Sequence, residues 1–138
     1  SNYSKPNAHS RHNAAYWTGG EYLALGTGAT GFVGRERYTN HRSADRYLTE
    51  VFAGRLPQGA PEQLGATELF EERVAMGLRL TNGVALQQVC ADFGEAFDSR
   101  AVTVRQLIAS GLAVETAGRL ALTDAGFDLH SSIAARLM

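Results

Sequence analysis

The sequence is poor in cysteine, proline and long apolar runs. Its 138 residues include one cysteine, Cys90, and three prolines. One cysteine excludes an internal disulfide and any zinc or iron–sulfur site built from several cysteines of one chain, and its apolar helical setting predicts an inert, buried thiol. No apolar run approaches the length of a membrane span, and no basic segment leads into an apolar one as in a secretory signal. We therefore expect a cytoplasmic protein.

The net charge of −1 hides an asymmetry between the two halves of the chain. Residues 1–60 carry seven basic and four acidic side chains, a balance of +3, whereas residues 61–138 carry six basic and ten acidic ones, a balance of −4. Three of the four histidines also lie in the first half: His9, His12 and His41. An anionic ligand is therefore expected in the first half. The acidic second half argues against nucleic-acid binding.

Residues 56–61 contain two of the three prolines, which predicts a linker between two regions of different composition. Before it, residues 1–20 have the composition of a loop. A short strand is predicted at 21–25, and a glycine-rich run at 26–31 ends it. A helix is then predicted from about residue 44 to residue 53.

After the linker the pattern is mostly helical. Apolar faces and glycine stops predict helix, helix, helix, hairpin and helix, at residues 66–80, 85–93, 99–110, 112–122 and 123–137. This order is typical of a winged-helix domain. The third helix offers only Arg100 and Arg105 as cations, so an interaction role is favoured over DNA binding.

The run 26–31 fits the G-x-G-x-x-G pattern of dinucleotide-binding domains. That fingerprint requires a helix directly after the glycines, then a strand that ends in an acidic residue about twenty residues on. The following segment, 35–42, has no amphipathic period, and no Val/Ile-rich strand occurs before Pro57. We therefore predict that the run does not bind a dinucleotide.

The string HNAAYW at 12–17 places a histidine beside flat aromatic side chains. A lone histidine in a loop is most often only solvated or hydrogen-bonded. Here Tyr16 and Trp17 add flat apolar surface, and three neighbours add positive charge: Lys5, His9 and Arg11. Haem would suit this set, because a histidine can hold its iron while cations meet its propionates. Composition alone does not select haem over other flat anions.

Segments along essentially the whole chain resemble the HemW-like haem chaperones. These belong to the radical-SAM group and are related to the oxygen-independent coproporphyrinogen III oxidases. The resembling segments are 1–6, 10–13, 16–17, 19–23, 26–31, 39–42, 76–80 and 120–134. HNAAYW fits the HNxxYW pattern that separates the chaperones from the oxidases. Two departures are Asn7, where the family usually has Gly, and Thr30, where it often has His.

The resemblance implies an α+β chain. Residues 1–55 would be the end of an open α/β barrel, and residues 62–138 a mostly helical, winged-helix-like C-terminal domain. The implied cofactor-binding residues are His12, which would ligate haem iron, and Asn13, Tyr16, Trp17, Gly26 and Gly28. The implied partners are haem, haem-acceptor proteins, and either the missing N-terminal barrel or a second copy. A strand cut out of a barrel leaves open edges, so we expect self-association or a disordered segment 1–20.

The family also carries a 4Fe–4S cluster and S-adenosylmethionine, which require a CxxxCxxC loop that these 138 residues lack. We therefore expect no enzyme activity from this chain by itself. Two other interpretations stay open. One is the C-terminal part of an oxygen-independent coproporphyrinogen III oxidase-like protein of porphyrin biosynthesis, and the other is a non-catalytic winged-helix interaction module.

Overall fold

The computed structural model describes Lys5, Ala8 and residues 10–138. Along these residues the elements, in chain order, are α1 (Arg11–Trp17), β1 (Thr30–Val33), β2 (Glu36–Thr39), α2 (Ala44–Phe52), β3 (Glu62–Gln63), α3 (Ala66–Gly77), α4 (Leu86–Phe93), α5 (Asp98–Ala109), β4 (Ala113–Thr116), β5 (Arg119–Leu122), α6 (Asp124–Asp128) and α7 (His130–Leu137). The fold is α+β, as predicted, and its described strands form no closed barrel. No helix in this part of the chain has the length and apolar character needed to cross a membrane.

The chain forms two compact units that interleave along the sequence. One unit consists of residues up to 19 together with 66–138, and the other consists of residues 20–65. The sequence predicted a division at the linker 56–61 instead. The compact units differ from that division because α1 packs against α3, which puts the HNAAYW string with the C-terminal helices. The assignment of residues 1–55 to the end of a barrel stays a prediction.

The unit at 20–65 is built on an antiparallel sheet in the order β1-β2-β3. A tight turn joins β1 to β2, and both of its central residues, Gly34 and Arg35, have positive φ angles, as a two-residue hairpin turn requires. Residues 56–61 do not form a free linker: the His41 amide donates to the Pro57 carbonyl at 2.8 Å, and Gln58 pairs with the strand end at Asn40. The predicted strand at 21–25 is reduced to one bridge, between Tyr22 and Phe32.

Helix α2 follows its prediction closely. Ser43 is its N-cap and accepts a hydrogen bond from the Arg46 amide. None of its residues is buried, and Phe52, at 84% exposure, is the most exposed apolar side chain of the helix. An apolar face is thus open to solvent in this unit.

The core of the other unit lies among α3, α4, α5, α7 and the β4–β5 hairpin. Its largest fully buried side chains are Phe70, Leu78, Leu107, Ile133, Leu137, Val74 and Cys90. The predicted order of three helices, hairpin and helix is present, with ends shifted by one to three residues. The one larger difference is at the last helix, which breaks at Leu129 into α6 and α7. The winged-helix class itself stays a prediction.

Two glycines allow the hairpin to approach its neighbours closely. A methyl group at Gly83 would overlap the backbone of Leu120, and next to it Val84 and Leu120 exchange two backbone hydrogen bonds, at 2.9 and 2.8 Å. A methyl group at Gly126 in α6 would overlap the carbonyl oxygen of Leu112, just before β4. Both positions need the absence of a side chain, because backbone atoms occupy that space.

Candidate functional site

The loop predicted at residues 1–20 is wrong for residues 11–17, which form helix α1. Ser10 caps its first turn, since its Oγ accepts a hydrogen bond from the Asn13 amide at 3.3 Å. Thr18 closes the other end by donating from Oγ1 to the Ala14 carbonyl at 2.9 Å. A helix of seven residues is unstable in isolation, so its packing against α3 must supply most of its stability.

Arg73 of α3 fixes the end of α1. Its Nη2 donates a hydrogen bond to the Gly19 carbonyl at 3.3 Å. Gly19 has a φ of +69°, and a methyl group there would overlap the Arg73 guanidinium. The positive φ favours glycine at position 19, and a side chain there would also force the Arg73 guanidinium to move.

His12 and Tyr16 form an aromatic pair on α1, in which His12 is exposed and Tyr16 is half-buried. They are four residues apart, which brings them to the same face of the helix. Their ring centroids are 4.9 Å apart with an interplanar angle of 86°, an edge-to-face contact. His12 is exposed, and in the described part of the chain neither of its ring nitrogens makes a hydrogen bond. The imidazole therefore keeps its nitrogen lone pair available to a ligand.

Two of the three predicted cations lie among the described residues. Arg11 precedes His12 on α1 and is exposed, and Lys5 is exposed as well. His9, the third predicted cation, lies outside the described residues. The charge of Arg11 favours an anionic group near the start of α1.

Trp17 lies on a different face of α1 from His12. Five residues at 3.6 residues per turn rotate its side chain about 140° away from His12, close to the direction of Asn13. Trp17 is half-buried and lines a groove of about 970 Å³. The rest of the groove is formed by residues around α6 and the start of α7: Arg79, Thr81, Leu122, Asp124, Phe127, Asp128, Leu129, His130, Ser131 and Ser132. The four motif residues thus lie on one helix but serve two surfaces.

The remaining predicted site residues, Gly26 and Gly28, lie in the unit at 20–65. Both have positive φ angles, and both of their amides are bonded within that unit. The Gly26 amide donates to the Tyr47 hydroxyl at 3.2 Å, and the Gly28 amide donates to the His41 carbonyl, also at 3.2 Å. The buried Asn40 holds the same loop by donating to the Gly26 carbonyl at 2.9 Å. A role for the two glycines in cofactor binding stays a prediction.

The glycine run also lacks the structure that a dinucleotide-binding fingerprint requires. It leads into strand β1, whereas a phosphate would need the N-terminus of a helix at that point. The two amides that could contact a phosphate already have internal acceptors. That the run does not bind a dinucleotide stays a prediction.

Cys90 is buried, as predicted, and burial raises the pKa of its thiol above the ordinary value. A raised pKa keeps the thiol protonated at neutral pH, so it is a poor nucleophile and a poor metal ligand. Among the described residues there is no group of three or more His, Cys, Asp or Glu side chains arranged to hold a metal ion. A single protonated cysteine does not fit a 4Fe–4S cluster, which needs several thiolates.

Sequence reasoning missed the groove. Asp124 and Asp128 are four residues apart, a spacing that places both on one face of a helix, and this signal was available. The contribution of Trp17 could not be seen in the sequence, because it depends on the packing of α1 against α3, which is distant along the chain.

Comparisons with known proteins agree with the resemblance seen in the sequence. The family model of the HemN C-terminal domain matches residues 64–129. Over all 138 residues the chain is 37% identical to the heme chaperone HemW of Mycobacterium tuberculosis, of which it covers 34%. It is 28% identical over 127 residues to the heme chaperone HemW of Bacillus subtilis, where the alignment covers 91% of the chain and 34% of the relative. The chain spans about a third of the length of these curated relatives.

Among solved structures, the chain is similar to coproporphyrinogen III oxidase (HemN) from Escherichia coli, described as a radical SAM enzyme. The TM-score is 0.62 at 15% identity, and the match covers 86% of this chain and 28% of the other. This likeness concerns the fold, and it defines the class of the chain: an α+β protein with a HemN-type C-terminal region. Within that class, the chain is similar along its whole length to proteins named heme chaperone HemW.

Proposed function

We propose that this chain binds haem through helix α1, with His12 as the axial ligand of the iron, and delivers it to acceptor proteins as part of a haem chaperone. The observation that carries the proposal is the contact between the exposed His12 and the half-buried Tyr16, on a helix that α3 and Arg73 hold in place. A fixed, solvent-accessible imidazole can take an iron atom without the disruption of any existing hydrogen bond of its own.

The surroundings of His12 supply the other contacts that haem needs. The ring of Tyr16 offers an apolar surface for the macrocycle, and the charges of Lys5 and Arg11 are available to the two propionates. Asn13 and Trp17 lie on the same helix as this pair. The relatives named heme chaperone HemW support this choice of cargo, because one of them is 37% identical along the whole chain.

The HNxxYW string favours the chaperone over the oxidase interpretation. The oxidase neighbour is similar in fold at 15% identity, whereas the 37% identical relative is named a heme chaperone. The proposal assigns no 4Fe–4S cluster and no S-adenosylmethionine to these 138 residues. Both would require a longer protein that supplies the CxxxCxxC loop. The acceptor is a protein of unassigned identity.

A haem titration tests the proposal. Haemin is added to the purified chain and to His12→Ala, and the Soret band is followed by visible absorption. We expect saturable binding with a shifted band in the unmodified chain, and at least a tenfold loss of affinity in His12→Ala, because ligation by imidazole provides most of the specificity.

His41→Ala is the matched control, since it removes another histidine from the same positively charged half of the sequence. It should bind haemin like the unmodified chain. Equal binding by His12→Ala would contradict the ligand assignment, and no saturable binding by the unmodified chain would contradict haem binding by these 138 residues.

A further inference from the structure

The groove beside Trp17 is a second surface of the same compact unit, and it has the size of a binding site. Its volume of about 970 Å³ is at the upper end of the range for ligand pockets, and it is larger than one side chain or one small ion requires. Its walls combine the half-buried Trp17 and Phe127 with the exposed Leu129, at 48% exposure.

Two carboxylates give this groove its charge. Asp124 and Asp128 lie at the two ends of α6, one helical turn apart. In the described part of the chain, neither carboxylate accepts a hydrogen bond or forms an ion pair. Arg79 is the one cation in the lining, so the groove has a net charge of −1 with His130 neutral. This balance disfavours a dianion such as haem and favours a cationic group.

The remaining polar groups of the groove are fixed or small. His130 is held by a 2.8 Å hydrogen bond between its Nε2 and the Ala75 carbonyl of α3. This contact makes Nε2 the donor and orients the ring as part of the wall. Ser131 and Ser132, in the first turn of α7, add hydroxyl groups that can bond a peptide backbone.

We propose that the groove binds a polypeptide segment of a partner protein through one basic side chain, an arginine or a lysine, flanked by apolar residues. The basic group lies between Asp124 and Asp128 and stacks on the Trp17 or Phe127 ring, and the apolar neighbours cover Leu129. Hydrogen bonds from the hydroxyl groups hold the segment's backbone. This binding does not depend on haem. The groove nevertheless lies next to helix α1, because Trp17 and His12 are both residues of that helix.

Trp17 is the single tryptophan of the chain, so its fluorescence reports occupation of the groove. The probe is an acetylated, amidated tripeptide with arginine between two leucines. Two comparison peptides replace the arginine with citrulline, which has nearly the same shape without the charge, or with glutamate. We expect saturable quenching by the arginine peptide, and binding at least fivefold weaker for the citrulline and glutamate peptides.

The variant Asp124→Asn/Asp128→Asn should bind the arginine peptide about fivefold more weakly, because both carboxylates that face the basic group lose their charge. Glu115→Gln is the matched control, since it removes an exposed carboxylate outside the groove and should leave binding unchanged. A second measurement needs no variant: raising the salt concentration should weaken the arginine peptide's binding but leave that of the citrulline peptide unchanged.

Equal binding of the arginine and citrulline peptides would overturn the proposal in favour of an apolar docking site. Tighter binding of the glutamate peptide would overturn the proposal and would indicate that the groove binds an acidic segment through Arg79. Absence of quenching by all three peptides would also overturn it. Each result is independent of the haemin titration, so the two proposals can fail separately.

Discussion

Replacement of Gly126 by alanine should destabilise the unit that contains α1, although alanine is normally the better helix former. Gly126 is buried in α6, and an added methyl group would overlap the carbonyl oxygen of Leu112. Backbone occupies that space, so α6 must move away from the hairpin. This movement breaks the 3.1 Å hydrogen bond from the Thr123 amide to the same carbonyl.

The size of the effect follows from three contributions. Overpacking costs about 1–3 kcal/mol, and loss of a backbone hydrogen bond costs about 1 kcal/mol. Alanine recovers about 1 kcal/mol over glycine inside a helix. The expected net loss for Gly126→Ala is therefore about 2 kcal/mol. With a urea m-value of about 2 kcal/mol/M, this loss lowers the midpoint of unfolding by about 1 M.

Urea unfolding followed by Trp17 fluorescence measures this loss, since Trp17 lies in the same compact unit as α6. Gly94→Ala is the matched control. Gly94 ends α4 with a φ of +72°, and an added methyl group would meet no atom within 4 Å. Its replacement should cost only the left-handed strain of an L-residue, about 1 kcal/mol. If Gly126→Ala were less destabilising than Gly94→Ala, the close packing of α6 on the hairpin would be refuted.

Two further predictions concern Cys90 and the exposed face of α2. Burial raises the pKa of the Cys90 thiol, so its stabilising contribution is complete below the unfolded-state pKa of about 8.5 and declines as the pH rises toward the higher folded-state pKa. The urea midpoint should therefore fall between pH 8 and pH 10 by more in the unmodified chain than in Cys90→Val, and an equal fall in both would contradict this. Phe52, at 84% exposure beside the exposed Leu48 and Val51, should promote self-association. Sedimentation velocity should detect concentration-dependent association that Phe52→Glu reduces, and a concentration-independent monomer would rule this out.

The helices of the C-terminal unit were predictable because their signals are local. Glycines follow the ends of α4 and α5, and an apolar stripe marks each buried face. The hairpin was predicted within one residue for the same reason. Such signals require only neighbours in sequence.

Elements that depend on distant contacts were missed. Helix α1 has a polar, loop-like sequence and needs α3 to stabilise it. The predicted strand at 21–25 failed because its backbone groups bond to side chains: the Ala24 amide donates to the Tyr38 hydroxyl at 3.2 Å, and the Ala24 carbonyl accepts from Asn40, also at 3.2 Å. The break at Leu129 had no signal among the residues around it.

Whether the predicted site residues bind a cofactor stays a prediction. The sequence identified the residues of the HNxxYW string, and the structure brings all four to one helix. The sequence could not show that His12 and Tyr16 lie on one surface and Trp17 on another, because a predicted loop has no defined faces. The groove aspartates went unrecognised although their four-residue spacing is visible in the sequence, because the position of Trp17 beside them is not.

The contact between α1 and α3 also determines when the His12 surface can form. Residues 20–65 separate the two partners in sequence, so docking closes a long loop, and the entropy of that closure opposes it. Seven residues cannot hold a helix until α3 is present. The His12 surface therefore forms only after α3 has formed, which makes the stability of the C-terminal helices the factor that governs how much of the protein can present its histidine on a helix.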